Sequence, residues 1–229
     1  MNDRLTWVGP LGGILAAVFY VLSRSFGGWH IPGALDVRPE DGPDVVGPLL
    51  ADNADGFRVG AHLGFLSALF LMVFAADLRR RMVTHEEKDS TWGFLAFGGG
   101  LVLATVLIMQ NSLTLAARVV GDQGLSPELG QLILALQWSG SDLMAAPIAA
   151  IVLGVSVMGI SGDFIVRLWA WVGIVLTAGV VVALLIPGSS PLFIFVGLSL
   201  LWMTIVAGVL LWDDVRPRFV KQHPAGVSS

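Results

Sequence analysis

The residue in this chain best suited to chemistry is Asp142, because it lies inside a long apolar stretch, residues 129–160. A carboxylate within the hydrocarbon of a membrane costs about 2.5–3.5 kcal/mol on insertion scales, so such a residue usually faces other helices and has a polar partner. In a low-dielectric site it either binds a proton or pairs with a cation. The sequence therefore predicts a polar site built around Asp142.

Polar residues on two other apolar stretches are the predicted partners of this carboxylate. At about 100° per residue, Arg58 and His62 share one helical face, and Asn111 and Arg118 share another. All of them fall in the outer half of the predicted membrane region. The predicted cluster consists of Asp142, Arg58, His62, Arg118, Asn111, Gln110, Gln137, Ser139 and Ser141. We expect Asp142 to pair with Arg58 or Arg118.

This cluster has three readings that the sequence leaves open. Asp142 titrates in a proton-coupled or cation-coupled site, or the arginines, including Arg24, bind a small anionic or polar solute. Alternatively, the polar groups only satisfy one another and lock three helices in register.

The composition places most of the chain in lipid. Of 229 residues, 55% are hydrophobic and only 13% are charged, about half the charged fraction of a soluble domain. The mean hydropathy is +0.79. A net charge of −4 and the lack of a basic stripe argue against nucleic acid as a partner. The absence of cysteine excludes disulfides, thiol catalysis and cysteine-ligated metals.

Six apolar runs are each about as long as a helix that crosses 30 Å of hydrocarbon. The predicted spans are residues 7–23, 57–77, 92–115, 130–160, 168–186 and 192–212. They are joined by short links, apart from a polar outer loop over residues 24–56, and a cytoplasmic tail follows over residues 213–229. The predicted fold is all-α, a single antiparallel bundle of six transmembrane helices forming one domain.

The distribution of lysine and arginine predicts the orientation. With the N-terminus inside, nine basic residues lie on the inner side, namely Arg4, Arg79, Arg80, Arg81, Lys88, Arg167, Arg216, Arg218 and Lys221. Four lie on the outer side, namely Arg24, Arg38, Arg58 and Arg118. Both termini are therefore predicted to be cytoplasmic, and the chain is assigned to the cell membrane as a multi-pass protein.

Small residues predict where the helices approach closely. Gly60, Gly64 and Ala68 recur at every fourth position, which is typical of tight packing between membrane helices. The run 98–100 is three consecutive glycines within the third span and predicts a kink or a close crossing.

No cofactor or metal is predicted. Haem bound through two histidines needs ligands on facing spans, and His62 is the only histidine within a span. A calcium loop aligned on Gly56 places Ala51 and His62 at ligand positions, so the pattern fails. No acid–base pair accompanies a metal or an activated nucleophile, so the sequence does not assign a catalytic residue and favours a non-enzymatic role.

Three motifs resemble a class of six-span integral membrane proteins that is common in actinobacteria and carried as a domain of unknown function. They are Arg58-Val59-Gly60-Ala61, Leu78-Arg79-Arg80-Arg81 and the run of residues 167–173, RLWAWVG. The resemblance implies the six-span layout over most of the chain and brings no activity with it.

Two functions follow as expectations. The first is a permease for a small solute, or a proton-coupled or ion-coupled one, with its polar site in the outer half of the bundle. The alternative is a non-catalytic scaffold or accessory subunit whose buried polar cluster is structural. The lipid bilayer is the expected environment, and a second copy of the chain or another membrane protein is the expected kind of protein partner.

Overall fold

Seven helices form the part of the chain that this computed structural model describes, residues 6–26, 43–85, 91–123, 127–162, 164–186 and 190–222. They are α1 (Val8–Arg24), α2 (Pro43–Asp52), α3 (Ala54–His85), α4 (Thr91–Gln123), α5 (Pro127–Gly162), α6 (Arg167–Leu184) and α7 (Ser190–Gln222). These ranges contain no strand. The predicted all-α class is confirmed.

Five of these helices, α3 to α7, are long and apolar enough to cross a membrane. A helix satisfies its own backbone hydrogen bonds, which is what lipid demands of a spanning segment. The remaining predicted span, residues 7–23, corresponds to α1, which is apolar but has only 17 residues. The lengths and composition of the five helices suggest a membrane location.

Helix α5 lies at the centre of the bundle. It packs against α4, α6 and α7. Its fully buried side chains include four large apolar ones, Met144, Ile148, Ile151 and Met158. Contacts also run from α1 to α3, from α3 to α4, from α6 to α7 and from α1 to α7, so α1 and α7 close a ring of helices that includes α5. Helix α2 packs against α4 and α5. We use the terms Arg24 end and Arg81 end for the two ends of this bundle.

The glycine run on α4, predicted to form a kink or a close crossing, lies at a close crossing of helices. A Cβ atom on Gly99 would lie 2.8 Å from the Pro147 carbonyl oxygen of α5. On the other side of α4, a Cβ atom on Gly100 would collide with Ala75 of α3. Gly98, in contrast, has no neighbour within 4 Å of that position. Two glycines therefore let α4 fit between α3 and α5.

The segment 24–56, predicted to be a polar loop, contains helix α2 and the start of α3. Pro43 opens α2 at a position where its missing N–H and fixed φ are favourable. Val46 is fully buried in a small apolar cluster with Phe57, Ala117 and Ile133. Residues 27–42 of the predicted loop lie outside the described residues. Helix α2 therefore covers the Arg24 end of α4 and α5, which a composition rich in Pro, Gly and Asp did not indicate.

Helix α7 continues to Gln222, well past the end of the predicted span at residue 212. The charged residues that begin at Asp213 end the apolar stretch without ending the helix, since Asp and Arg are compatible with a helix in water. The charged residues thus mark the end of the apolar segment, and the helix itself ends ten residues later, at Gln222.

Candidate functional site

Two hydrogen bonds join the last turn of α1 to α4 at the Arg24 end. The Arg24 Nη2 atom donates to Gln110 Oε1 at 2.7 Å, and Ser23 Oγ donates to Asn111 Oδ1 at 3.3 Å. Asn111 Nδ2 donates to the Leu107 carbonyl of its own helix at 2.6 Å. Gln110 and Asn111 are buried, as predicted residues of a polar site would be.

A third hydrogen bond extends this network to α5. Gln137 Nε2 donates to Thr114 Oγ1 at 2.8 Å, and Thr114 in turn donates to the Gln110 carbonyl at 3.0 Å. We call the six residues Ser23, Arg24, Gln110, Asn111, Thr114 and Gln137 the Arg24 cluster. It connects α1, α4 and α5 through side chains.

Gly64 of α3 makes room for this cluster. A Cβ atom at that position would overlap the Asn111 side-chain amide. The predicted seam of small residues on α3 therefore contacts a polar side chain at Gly64, while Ala68, one turn further along, is fully buried in the apolar core.

The cluster retains donors that no described residue accepts. The buried Nε2 atom of Gln110 has no hydrogen-bond partner among the described residues. Arg24 carries five N–H donors, and within the described residues one of them has an acceptor, Gln110. Its guanidinium also lies over the Tyr20 ring, 5.3 Å from the centroid. Because a buried unpaired donor costs about 1–3 kcal/mol, an anion or a carbonyl oxygen would be stabilised here.

The structure does not bring Arg58 and His62 into the Arg24 cluster. Both side chains are exposed on α3. Arg58 forms an ion pair with Asp55 at 3.4 Å, and His62 Nδ1 lies 2.7 Å from the Arg58 carbonyl oxygen. The sequence carried a signal for this: their face lies about 140° from the seam of Gly60, Gly64 and Ala68, at 100° per residue. A face turned away from the packing seam points out of the bundle.

Asp142 is also exposed, on the surface of α5. Within the described residues it forms no ion pair with Arg58 or Arg118. At 100° per residue, Asp142 would share a face with Ala149, which is buried. Pro147 lies between these two residues on α5. A proline removes one helical hydrogen bond and can bend the helix. The angle of 100° per residue, which holds for a straight helix, therefore does not show which residues share a face across Pro147. The side chains of Ser139 and Ser141 lie outside the described residues, and Arg118 is half-buried on α4.

A second polar cluster lies at the Arg81 end. Arg81 donates to Asp77 on α3 at 2.6 Å, to Asp214 on α7 at 2.5 Å, and to the Thr6 carbonyl before α1 at 3.0 Å. Asp77 also accepts from the more exposed Arg80. Asp77 thus pairs with two consecutive arginines of its own helix. Asp214 was not predicted, because sequence alone does not show that the end of α7 lies beside α3.

An apolar cavity of about 550 Å³ lies between α1 and α7. Its inner wall contains Phe74, Leu103 and Met144, which are buried in the core. Its rim includes Val18 and Leu201, which are exposed on the bundle surface. No sequence pattern indicated this cavity, since the same apolar residues would be expected in a filled interface.

Within the described residues, no three histidine, aspartate or glutamate side chains are grouped as a metal ion would require. No known protein family, curated protein or solved structure matches the chain. The site must therefore be interpreted from its own geometry.

Proposed function

We propose that this chain is a six-span permease of the cell membrane, with both termini in the cytoplasm, for a small anionic or polar solute. The solute binds at the Arg24 cluster in the outer half of the bundle. In this proposal α1 is the sixth span, since 17 residues is the lower end of the range that crosses hydrocarbon. The positive-inside rule supports the orientation, with the Arg81 end inside.

The observation that carries this proposal is the pair formed by Arg24 and Gln110. A guanidinium without a carboxylate partner among the described residues lies beside a buried amide donor without an acceptor. Both groups donate only to electron-rich atoms, so they select an anion or a carbonyl oxygen.

The depth of the cluster also supports the proposal. Gln110 lies about 30 Å along α4 from its start at Thr91, and Arg24 lies about 24 Å along α1 from Val8. The hydrocarbon of a bilayer is about 30 Å thick, so both groups lie near its outer boundary. A solute arriving from the outer aqueous phase would reach them without crossing the lipid.

Thermal unfolding of the purified full chain tests the proposal. We expect at least one anion from a panel of small carboxylates and phosphates to raise the unfolding temperature. At 100-fold excess over its dissociation constant, one bound ligand stabilises by about 2.7 kcal/mol. We expect Arg24→Gln to abolish that rise, because glutamine offers no positive charge.

Arg58→Gln is the matched control for Arg24→Gln. It removes the same charge from an exposed site on α3 and should leave the anion response intact. A panel in which no anion stabilises the wild-type chain, or in which both variants lose the response equally, would refute an anion site at Arg24.

A proton-coupled form of the proposal makes a separate prediction about Asp142. Because this side chain is exposed and has no ion pair in the described residues, we expect Asp142→Asn to keep expression and unfolding temperature unchanged. If the carboxylate titrates during transport, the same variant should abolish the pH dependence of solute uptake into proteoliposomes. Wild-type pH dependence in the variant would exclude Asp142 from coupling.

The alternative, a scaffold or accessory subunit, is favoured by one observation. The hydrogen bonds of the Arg24 cluster tie α1, α4 and α5 together, as a purely structural network would. In that case Arg24→Gln should lower the unfolding temperature without changing any ligand response. A pull-down in mild detergent should then recover a stoichiometric membrane-protein partner.

A further inference from the structure

We infer that the cavity between α1 and α7 holds one acyl chain of an anionic phospholipid whose head group binds Arg24. This inference rests on the proposed function, since it takes the anion site at Arg24 as given and narrows its ligand to the anionic head group of a membrane amphiphile. It combines three observations: an apolar cavity that opens at the bundle surface, a cationic site beyond one end of it, and an unused donor beside that cation.

The cavity opens where lipid would be. Val18 and Val21 of α1 and Leu201 of α7 line it and are exposed, so its mouth lies on the apolar outer surface of the bundle. It reaches inward to Met144 on the central helix. A volume of about 550 Å³ lies within the range of about 300–1,000 Å³ that is usual for small-molecule sites. An acyl chain can enter sideways from the bilayer without exposing apolar atoms to water.

The polar cluster begins where the cavity ends. Leu22 is the last residue of α1 that lines the cavity, and Arg24 follows two residues later. On α4, Leu107 lines the cavity and Gln110 follows three residues later, about one helical turn nearer the Arg24 end. Tyr20 lines the cavity and lies under the Arg24 guanidinium. Along the bundle, the apolar cavity is followed by an aromatic ring and then by a cation. A phospholipid has its groups in the matching order of acyl chain, glycerol and phosphate.

Charge and depth favour a phospholipid over a water-soluble ligand. A soluble anion would leave the apolar cavity unused, whereas a phosphodiester at Arg24 places its chain directly into it. Guanidinium groups bind phosphate through paired N–H donors, and Arg24 has N–H donors that no described residue accepts. The Arg24 cluster lies near the boundary of the hydrocarbon, which is the depth of lipid head groups.

The test uses the full chain in vesicles of phosphatidylcholine that contain phosphatidylglycerol with a photoreactive diazirine in its acyl chain. After illumination, labelled peptides are mapped by mass spectrometry. We expect labels on residues of α1 and α7 that line the cavity. We expect less labelling when the same diazirine chain is carried by phosphatidylcholine, and Arg24→Gln should remove that difference.

Gly197 provides the variant that fills the cavity. It lines the cavity, and a Cβ atom there meets none of the described residues within 4 Å, so the side chain of Gly197→Leu starts in open space. We expect cavity labelling to fall about tenfold, as overpacking of an occupied apolar site would produce. Gly208→Leu is the matched control on the same helix, because Gly208 is equally open and does not line the cavity. Its labelling should equal that of the wild type.

The opposite results are equally clear. Labels spread evenly over the lipid-facing surface and unchanged by Gly197→Leu would show that no chain occupies the cavity. Equal labelling by the two lipids would refute the claim that the site selects an anionic head group. Neither outcome affects the anion-dependent rise in unfolding temperature and its loss in Arg24→Gln, so failure of the lipid inference is distinguishable from failure of the proposed function.

Discussion

Replacing Arg81 with alanine is expected to lower the unfolding temperature of the detergent-solubilised chain more than any other single charge removal described above. The Arg81 side chain is 16% exposed, and it joins Asp77 to Asp214, which are 8% and 15% exposed. Removing it deprives these two largely buried carboxylates of the cation that they share. Breaking a buried pair typically costs about 3–5 kcal/mol. For a chain of this size that corresponds to a decrease on the order of 10 °C.

The neighbouring Arg80→Ala provides the control for Arg81→Ala. Arg80 also pairs with Asp77, but its side chain is 42% exposed, and exposed pairs contribute about 0–1 kcal/mol. We expect the unfolding temperature of Arg80→Ala to remain near that of the wild type. Equal losses in the two variants would show that the link to α7 contributes nothing beyond a surface ion pair.

Gly99→Leu is expected to have the second large effect, because it forces a side chain into the crossing of α4 and α5. The atom nearest to its Cβ would be the Pro147 carbonyl oxygen at 2.8 Å, followed by Ala150 Cβ at 3.0 Å. A backbone oxygen cannot rotate away as the end of a flexible side chain can, so the two helices must separate. Overpacking of this kind costs about 1–3 kcal/mol and occasionally more. Unfolding monitored by tryptophan fluorescence would measure the loss.

Gly98→Leu is a matched control one residue away. A Cβ atom on Gly98 has no neighbour within 4 Å, so the new side chain points away from the crossing. Replacing glycine within a helix also removes an entropic penalty of about 0.5–1 kcal/mol. We expect Gly98→Leu to be as stable as the wild type or slightly more so. If Gly98→Leu and Gly99→Leu destabilise equally, the glycine run acts through helix flexibility and not through close packing.

Much of the fold could be predicted from the sequence because lipid restricts the alternatives. Apolar runs of about twenty residues identified the five long helices and α1, and the glycine run on α4 indicated a close crossing that the structure contains. The helix at Pro43–Asp52 could not be predicted in the same way. Its apolar contacts come from Phe57, Ala117 and Ile133, which belong to three other helices.

The candidate site was only partly predictable. Gln110, Asn111 and Gln137 were identified from their residue types and depth, and the structure places them in one network. Their cation is Arg24, which the sequence offered only as one of several, because helical periodicity within a span does not show which helices are neighbours. Arg58 was favoured for its charge and its depth, although its face is turned away from the packing seam.

The ring of helices is closed by α1 and α7, which meet through Gly13 and Ala207 and through Arg81 at one end of the bundle. During synthesis, Asp214 leaves the ribosome long after Arg81, since 133 residues separate them. Until α7 is inserted, α1 lacks one of its two main neighbours, and Arg81 lacks one of its two carboxylates. Closure of this ring of helices therefore waits for α7, and nascent chains that stop before residue 214 should be recognised by proteases as incompletely packed.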